Sequence, residues 1–493
     1  MRTSSVRRMA ALLVTLLLAG VLAALGLPAP AVADASGGVP GVPRVDASEL
    51  SLGADFSCAI VRDGTLRCWG GNLQGQLAQG NTANIGDNPG ESTVPVDLGP
   101  GRTAVAVTAG NYHACALLDD GNIRCWGHND EGELAQGNTD DIGDNPGEST
   151  VAVDLGPGRT AVAVDAGGYH TCAILDTGQL RCWGHNGTGQ LAQGSSTGNN
   201  TAIGDQTGES TVLVDLGPGH TAVAVSAGVN HTCAILETGQ LRCWGYNFDG
   251  QLGQGNADAI GDNGGETTVP VDLGPGHTAV AVTGGAYHTC AVLDTGQLRC
   301  WGRNSSGQLG QGHANDIGDD AGETTVPVDL GPGRTARAVV TGGSHTCAVL
   351  DTGQLRCWGF NIYGQLGQGN NTTIGDTAGE TTVAVNLGTG RTALAVAAGE
   401  FHTCAVLDTG QLRCWGAGSA GQLGRGGTAN YGALAGQTPA GLPAVNLGGQ
   451  LVGRDTDGDG VRDAVDACPS VAGTLANGCP AACLLYTSDA ADE

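Results

Sequence analysis

Short apolar runs separated by glycine recur along the chain, and none follows a helical period. In one copy, Val212-Leu-Val-Asp-Leu predicts a first strand, and Gly217-Pro-Gly turns the chain after it. Ala222-Val-Ala-Val predicts a second strand, ended by Ala227-Gly228. His231-Thr-Cys-Ala-Ile-Leu predicts a third and Gln240-Leu-Arg-Cys-Trp-Gly a fourth, joined by a hairpin loop at Glu237-Thr-Gly. Four short strands per unit describe a propeller blade. The unit recurs. Trp69, Trp126, Trp183, Trp244, Trp301, Trp358 and Trp415 are spaced 57, 57, 61, 57, 57 and 57 residues apart. The longer step holds an insert from Ser195 to Asn200, expected to be a loop. Seven copies at this period predict an all-β, seven-bladed β-propeller of four-stranded blades over residues 45–450. Closing the ring hides the sheet edges. Two half-units, Val42-Pro-Arg-Val45 and Leu442-Pro-Ala-Val-Asn-Leu447, compete to complete the blade that holds Cys58 and Cys68, and the second is expected to make that closure.

Composition narrows the class. Glycine supplies 87 of the 493 residues without a collagen period, so it marks tight turns; inside helices each would cost about 1 kcal/mol against alanine. The 21 basic residues are all arginine, against 48 acids, for a net charge of −27. Such a surface repels phosphate backbones and argues against a nucleic-acid partner.

The ends differ from the middle. Arg2, Arg7 and Arg8 precede an apolar run from Met9 to Leu27, and Ala31-Val32-Ala33 follows as a small-residue cleavage site. Residues 1–33 therefore predict a secretory signal peptide, with 34–44 as a linker. No other run is long enough to span a membrane, so the mature chain is expected to lack a transmembrane span; separately, it is expected to be a monomer. Residues 483–493, Cys-Leu-Leu-Tyr-Thr-Ser-Asp-Ala-Ala-Asp-Glu, break from everything before them and look like a translated sequencing adapter. They are set aside from the fold, and the natural chain is expected to continue past Ala482.

Cysteines fit the exported reading. Each unit carries two, ten residues apart: Cys58 and Cys68, Cys115 and Cys125, Cys172 and Cys182, Cys233 and Cys243, Cys290 and Cys300, Cys347 and Cys357, Cys404 and Cys414. A three-residue loop at Asp176-Thr-Gly places Leu175 opposite Gln179, and counting back places Cys172 opposite Cys182 on one sheet face. Opposed Cβ atoms are about 4.5–5.5 Å apart, and slight closing reaches disulfide distance. One cross-strand disulfide per blade is expected, with packed thiols or a metal site as the competing readings. Cys468 is expected to pair with Cys479, which leaves only Cys483, inside the excluded tail.

The segment Ala166-Gly-Gly-Tyr-His-Thr-Cys-Ala-Ile-Leu-Asp-Thr-Gly-Gln-Leu-Arg-Cys-Trp-Gly-His-Asn-Gly-Thr-Gly-Gln-Leu resembles the repeat of the regulator of chromosome condensation family. The resemblance recurs in every copy and implies a seven-bladed propeller. It says little about function, because this fold hosts a nuclear nucleotide-exchange factor, a secreted inhibitor of β-lactamases and many bacterial surface proteins. Blade 1 departs from the pattern, with Phe56-Ser57-Cys58 where the others have His-Thr-Cys or His-Ala-Cys.

Two repeated polar features call for a chemical reading. His113, His170, His231, His288, His345 and His402 occupy one position of the unit. A residue repeated in every blade does not define one asymmetric active site, so these are expected to bond backbone and fix strand entry, while the tryptophans fill blade interfaces. The loop Ile-Gly-Asp-x-x-Gly-Glu recurs at Asp87/Glu91, Asp144/Glu148, Asp205/Glu209, Asp262/Glu266, Asp319/Glu323 and Asp376/Glu380. Capping of loop N–H groups, calcium binding and plain solvation are its three readings.

The sharpest motif follows the propeller. Asp455, Asp457, Asp459, Asp463 and Asp466 occupy positions 1, 3, 5, 9 and 12 of a loop with Gly460 at the turn and Val461 offering its carbonyl. That spacing wraps oxygen ligands around Ca²⁺. With Cys468-Pro469 and Cys479-Pro480, residues 454–480 resemble a thrombospondin type 3 repeat. The whole predicts a secreted or cell-surface module, periplasmic export included, that binds an unidentified protein or surface ligand and is not an enzyme. An inhibitor of a secreted enzyme, such as a β-lactamase, is the rival. For it, Tyr246, Phe248, Phe360 and Tyr363 are the aromatic candidates. A propeller-face enzyme would need a non-repeated polar cluster, and the sequence displays none.

Overall fold

The computed structural model describes residues 49–193, 202–263, 265–449 and 451. The expected signal peptide, the insert from Ser195 to Asn200, the calcium loop, Cys468, Cys479 and the adapter-like tail lie outside these residues. Within them the chain builds seven antiparallel sheets of three strands each. Blade 2 is typical. Its inner strand is Ala104–Ala109, its middle strand His113–Leu118 and its outer strand Ile123–Gly127. The middle strand is buried along its whole length because it packs on both faces, and its run of His-Ala-Cys-Ala-Leu-Leu suits that setting.

The register reproduces the expected cross-strand pairs. Cys172 faces Cys182, and Cys115 faces Cys125. The competing readings of packed thiols and a metal site fall away for the blade cysteines, because all seven pairs form disulfides. Cys58 is joined to Cys68, Cys115 to Cys125, Cys172 to Cys182 and Cys233 to Cys243. Cys290 is joined to Cys300, Cys347 to Cys357 and Cys404 to Cys414. Each pair has its Cα atoms 4.1 Å apart.

The fourth strand differs from expectation. The segment around Val96 lies beside the outer strand of blade 1, where Val96 N–H donates to Leu66 O at 2.9 Å. The same single bond recurs at Val153, Val214, Val271, Val328, Val385 and Val445. At blade 1 the contact extends only to an isolated bridge between Arg67 and Pro95, and among the described residues it does not continue into a fourth strand. Val96 and Leu98 still turn inward and are buried.

These segments also attach to the blade before them, not the one after. Val212-Leu-Val-Asp-Leu sits on the edge of Leu180–Gly184, and Leu442–Leu447 sits on blade 7 through Val445 N–H to Leu412 O. The expectation that Leu442–Leu447 completes blade 1 is thus corrected. Only beyond it does the chain touch blade 1 as a strand would, in one bridge from Leu451 to Val61. The ring closes mainly by packing. Leu50, Leu52 and Trp69 of blade 1 share one apolar cluster with Ala395, Val406, Leu423 and Val445 of blade 7 and its edge. Every seam has such a cluster, with a fully buried tryptophan at its centre. Trimming one to alanine would cost about 3–5 kcal/mol.

Candidate functional site

The sequence led us to expect that these histidines bond backbone; instead their Nε2 atoms bridge blades. His113 Nε2 lies 2.9 Å from Thr171 Oγ1 of the next blade. The same contact joins His170 to Thr232, His231 to Thr289, His288 to Thr346, His345 to Thr403 and His402 to Ser57, at 2.8–2.9 Å. Each hydroxyl has one proton, and Thr171 gives it to Glu133 O at 3.1 Å. The imidazole must therefore donate from Nε2, which fixes its tautomer. Trp183 Nε1–H donates to that same carbonyl at 2.8 Å. Nδ1 is left without a proton and without a partner at His170, His231, His288, His345 and His402. Burial pushes the imidazoles down, to about 4 for His113, His231 and His345 and to about 3 for His170, His288 and His402. These are neutral structural bridges. At the seam between blades 1 and 2 both ends change together: Phe56 replaces the donor and Ala114 the acceptor, and only Trp126 Nε1–H to Gln76 O remains, at 3.0 Å.

The acidic loops prove to cap themselves. Glu91 Oε2 accepts Gly86 N–H at 3.0 Å and Asn88 N–H at 2.9 Å. Glu148, Glu209, Glu266, Glu323 and Glu380 repeat this, and in blade 7 Gln437 takes the role through Gly432 N–H and Leu434 N–H. Among the described residues no group of three or more His, Cys, Asp or Glu side chains is placed to hold a metal ion.

The central channel holds a polar group that sequence reading missed. Ser51, Thr108, Asp165, Ser226 and Thr283 occupy one level of successive inner strands, opposite the first cysteine of each blade. Val340 and Ala397 break the series. Its side chains accept an N–H of the next inner strand: Ala109 to Ser51 Oγ and Ala166 to Thr108 Oγ1 at 2.9 Å, Ala227 to Asp165 Oδ2 at 2.8 Å. Thr108 also donates to Asp165 Oδ1 at 2.9 Å. Burial pushes Asp165 up to about 6. Its oxygens serve the wall rather than the lumen, so this cluster staples blades.

What varies lies on one end of the ring. The loops between inner and middle strands meet the loops after the outer strands there, tied by bonds such as His128 N–H to Tyr112 O and Phe360 N–H to Ser344 O. The residue before each bridging histidine changes from blade to blade, and it includes Tyr112, Tyr169, Tyr287 and Phe401. With Tyr246, Phe248, Phe360 and Tyr363 they form three aromatic groups. Tyr112 and Tyr169 are 6.4 Å apart, with His128 edge-on to both. Tyr246 lies 5.4 Å from Phe248 and 6.0 Å from Tyr287, and Arg303 sits 5.5 Å over the Tyr287 ring. Tyr363 lies 5.3 Å from Phe401 and 6.4 Å from Phe360. Leu73, Phe248 and Ile362, at one loop position of three blades, are exposed by 76%, 75% and 56%. Sequence reading found only half of these aromatics, because residues far apart in the unit meet in space.

One imidazole of this face differs from the bridging set. His128 is pushed up to about 9, first by its hydrogen bond to the buried Glu133. Glu133 replaces the usual glutamine of Gly-Gln-Leu. In blade 3 that glutamine is present: Gln190 Oε1 accepts Thr188 N–H, so its amide donates to His185 Nδ1, at 2.9 Å.

The RCC1-like domain family matches residues 80–450, and the regulator of chromosome condensation (RCC1) repeat matches residues 48–76. The ultraviolet-B receptor UVR8 of Arabidopsis thaliana is 30% identical over 135 residues, 27% of this chain and 28% of that protein. The secretion-regulating guanine nucleotide exchange factor of Mus musculus is 38% identical over 80 residues, 16% of each chain. The chain thus spans under a third of either relative's length. Among solved structures, yeast RCC1 (Prp20p of Saccharomyces cerevisiae) aligns at a TM-score of 0.58 with 22% identity, over 78% of this chain and 86% of that one. Human WBSCR16 aligns at 0.57 with 21% identity, over 73% and 90%. At these identities the structures share a fold.

Proposed function

The chain belongs to the family of RCC1-like domains, and from that premise we propose that it is a secreted or cell-surface protein-interaction module, non-enzymatic, that binds through its aromatic end. The observation that carries this is the segregation of aromatic side chains. Three groups of blade-specific rings crowd one end of the propeller, and aromatic anchors dominate protein interfaces. The other end repeats. There Arg102, Arg159, Arg334 and Arg391 pair with Asp119, Asp176, Asp351 and Asp408 at 3.0–3.3 Å, and His220 with Glu237 at 2.8 Å. A uniform end has little with which to select a partner.

Export rests on the residues 1–33 pattern and on the paired cysteines. Among the described residues no helix is long and apolar enough to cross a membrane. The Ca²⁺ loop of Asp455, Asp457, Asp459, Val461, Asp463 and Asp466, with the Cys468–Cys479 pair, belongs to this proposal as a calcium-stapled spacer. Its support is ligand spacing alone. The second reading, an inhibitor of a secreted enzyme, is favoured by the same aromatic clustering, since such an inhibitor needs preformed, blade-specific anchors.

The test is a photocrosslinking amino acid placed in the full-length exported chain at Phe248 or, as control, at Thr177 on the repeated end. We expect a discrete protein adduct from position 248 only. Adducts of equal yield at both positions, or none at 248, would overturn the assignment of the face.

A further inference from the structure

Resting on the reading of that face as a docking surface, the structure points to the chemistry of its partner. Its acids are Asp55, Asp130, Glu131, Asp249 and Glu400, interleaved with the aromatic groups. Its bases are already engaged. Arg303 lies over Tyr287, and His128 sits 3.0 Å from Glu133 and 3.2 Å from Asp130. Asp55 and Glu400 are different: neither has a cation within ion-pair distance among the described residues. They flank the seam where the ring closes, and Glu400 N–H reaches Gly53 O, two residues before Asp55, at 3.4 Å. Both are half-buried; Asp55 Oδ1 is buried without a hydrogen-bond partner, while Gln76 and the residue's own backbone serve the rest of its carboxylate. Tyr112 lies close enough to feel both charges, and Phe401 follows Glu400 directly.

We propose that this end of the ring docks a protein segment that presents arginine or lysine, with one basic side chain seated between Asp55 and Glu400 against the neighbouring rings. Three physical facts argue for a cation there. Two carboxylates that lack a counter-ion repel each other until a positive group joins them. An aromatic wall adds attraction to a guanidinium or ammonium and none to an anion. The chain carries −27 overall, so its field draws a basic partner from a distance and repels an acidic one. Burial pushes both carboxyl groups up, and at Glu400 the charge of Asp55 adds to it, the direction expected of a site whose counter-charge comes from outside.

The experiment uses the full chain and two labelled probe peptides, acetyl-Gly-Arg-Gly-Arg-Gly-amide and its glutamine equivalent, followed by fluorescence anisotropy. The pair Asp55→Asn with Glu400→Gln is compared with the pair Asp119→Asn with Asp176→Asn, which removes the same charge from the opposite end. We expect the arginine probe to bind, the glutamine probe not to bind, and the first pair to weaken binding about tenfold while the second changes it less than about twofold. Glu400→Gln alone, at a half-exposed position, gives the same sign of change should the double variant lose its fold. Equal weakening by both pairs would reduce the effect to net charge and overturn the proposal. So would indifference to the first pair. If adducts at position 248 persist alongside that indifference, the docking face stands and only its basic partner is wrong; a face that binds the glutamine probe equally selects neutral ligands and overturns the basic partner in the same way.

Discussion

The two ends of this ring are built from loops of the same repeat, yet they have been put to different uses. At the hairpin end nearly every blade repeats an Arg or His paired with an acid, and Arg102 and Arg391 do the same job. At the other end the position before the bridging histidine runs through Asp55, Tyr112, Tyr169, Asn230, Tyr287, Ser344 and Phe401. Between the ends lie the seams, where almost nothing varies. The difference teaches that a side chain repeated round the ring answers to the ring, and one that changes from blade to blade answers to something outside it.

The strongest way to break that comparison is acid. The six bridging histidines are neutral when folded, with values of about 3 to 4, and near 6.5 when unfolded. Their folded values are depressed, so their contribution is whole above about pH 6.5 and drains as pH falls toward the folded values. Each should cost about 1.4 kcal/mol per pH unit in that window, and the set together on the order of 8. Asp165 works in the opposite sense, because its raised value favours the folded state as pH falls through 6, but it is one group against six. Denaturant melts between pH 7 and 4 should show stability collapsing below pH 6. A ring that keeps its midpoint to pH 4 would show that these bridges do not carry the seams.

A smaller effect sharpens the rule at its one exception. Phe56→His places a donor opposite Ala114, which has no acceptor, and should cost about 2 kcal/mol. Adding Ala114→Thr supplies the missing hydroxyl beside Gln76 O and should return about 1 kcal/mol or more of coupling. Urea titrations of the single and double variants complete the cycle. Additive losses would mean that the seam of blades 1 and 2 is not a histidine seam with both halves replaced.

The smallest effect is on the varied face itself. Phe248→Ser and Leu73→Ser remove side chains that are 75% and 76% exposed, so each should leave the folding free energy, read from denaturant melts, within about 0.5 kcal/mol of the original. A larger loss would place these residues among those that hold the ring.

Much of this was legible in the chain because its causes are local. A three-residue hairpin loop and a two-residue side-chain period are enough to set Cys172 against Cys182, and the structure has that pair. The phase of the repeat was not legible. A periodic sequence has no beginning, so nothing in Val212-Leu-Val-Asp-Leu says whether it joins the blade before or after it. The histidine bridges were hidden for a related reason. His170 and Thr171 are neighbours in sequence but serve two different seams, one reaching forward to Thr232 and the other receiving His113. A signal was present nevertheless: Phe56 and Ala114 depart from the pattern in consecutive blades, which is what a bond with both partners lost looks like. The aromatic face was half visible. Tyr246 and Phe248 share one loop, whereas Tyr287 reaches Tyr246 only because the next blade's loop leans against it.

Each three-stranded sheet is made from one uninterrupted stretch of chain, with its edge segment following directly. Among the described residues no blade borrows a whole strand from the far terminus; Leu451 lends blade 1 a single bridge. A whole unit is therefore a unit of copying: inserting or deleting one 57-residue period away from the altered seam of blades 1 and 2 leaves every remaining sheet intact and creates one new seam from a histidine and a hydroxyl of the usual kind. What limits the number of blades is then the angle that the seams allow, not the connectivity. A lineage built this way can change its count of blades in a single duplication and afterwards diversify the loops of one end, blade by blade, without touching the bonds that keep the circle shut.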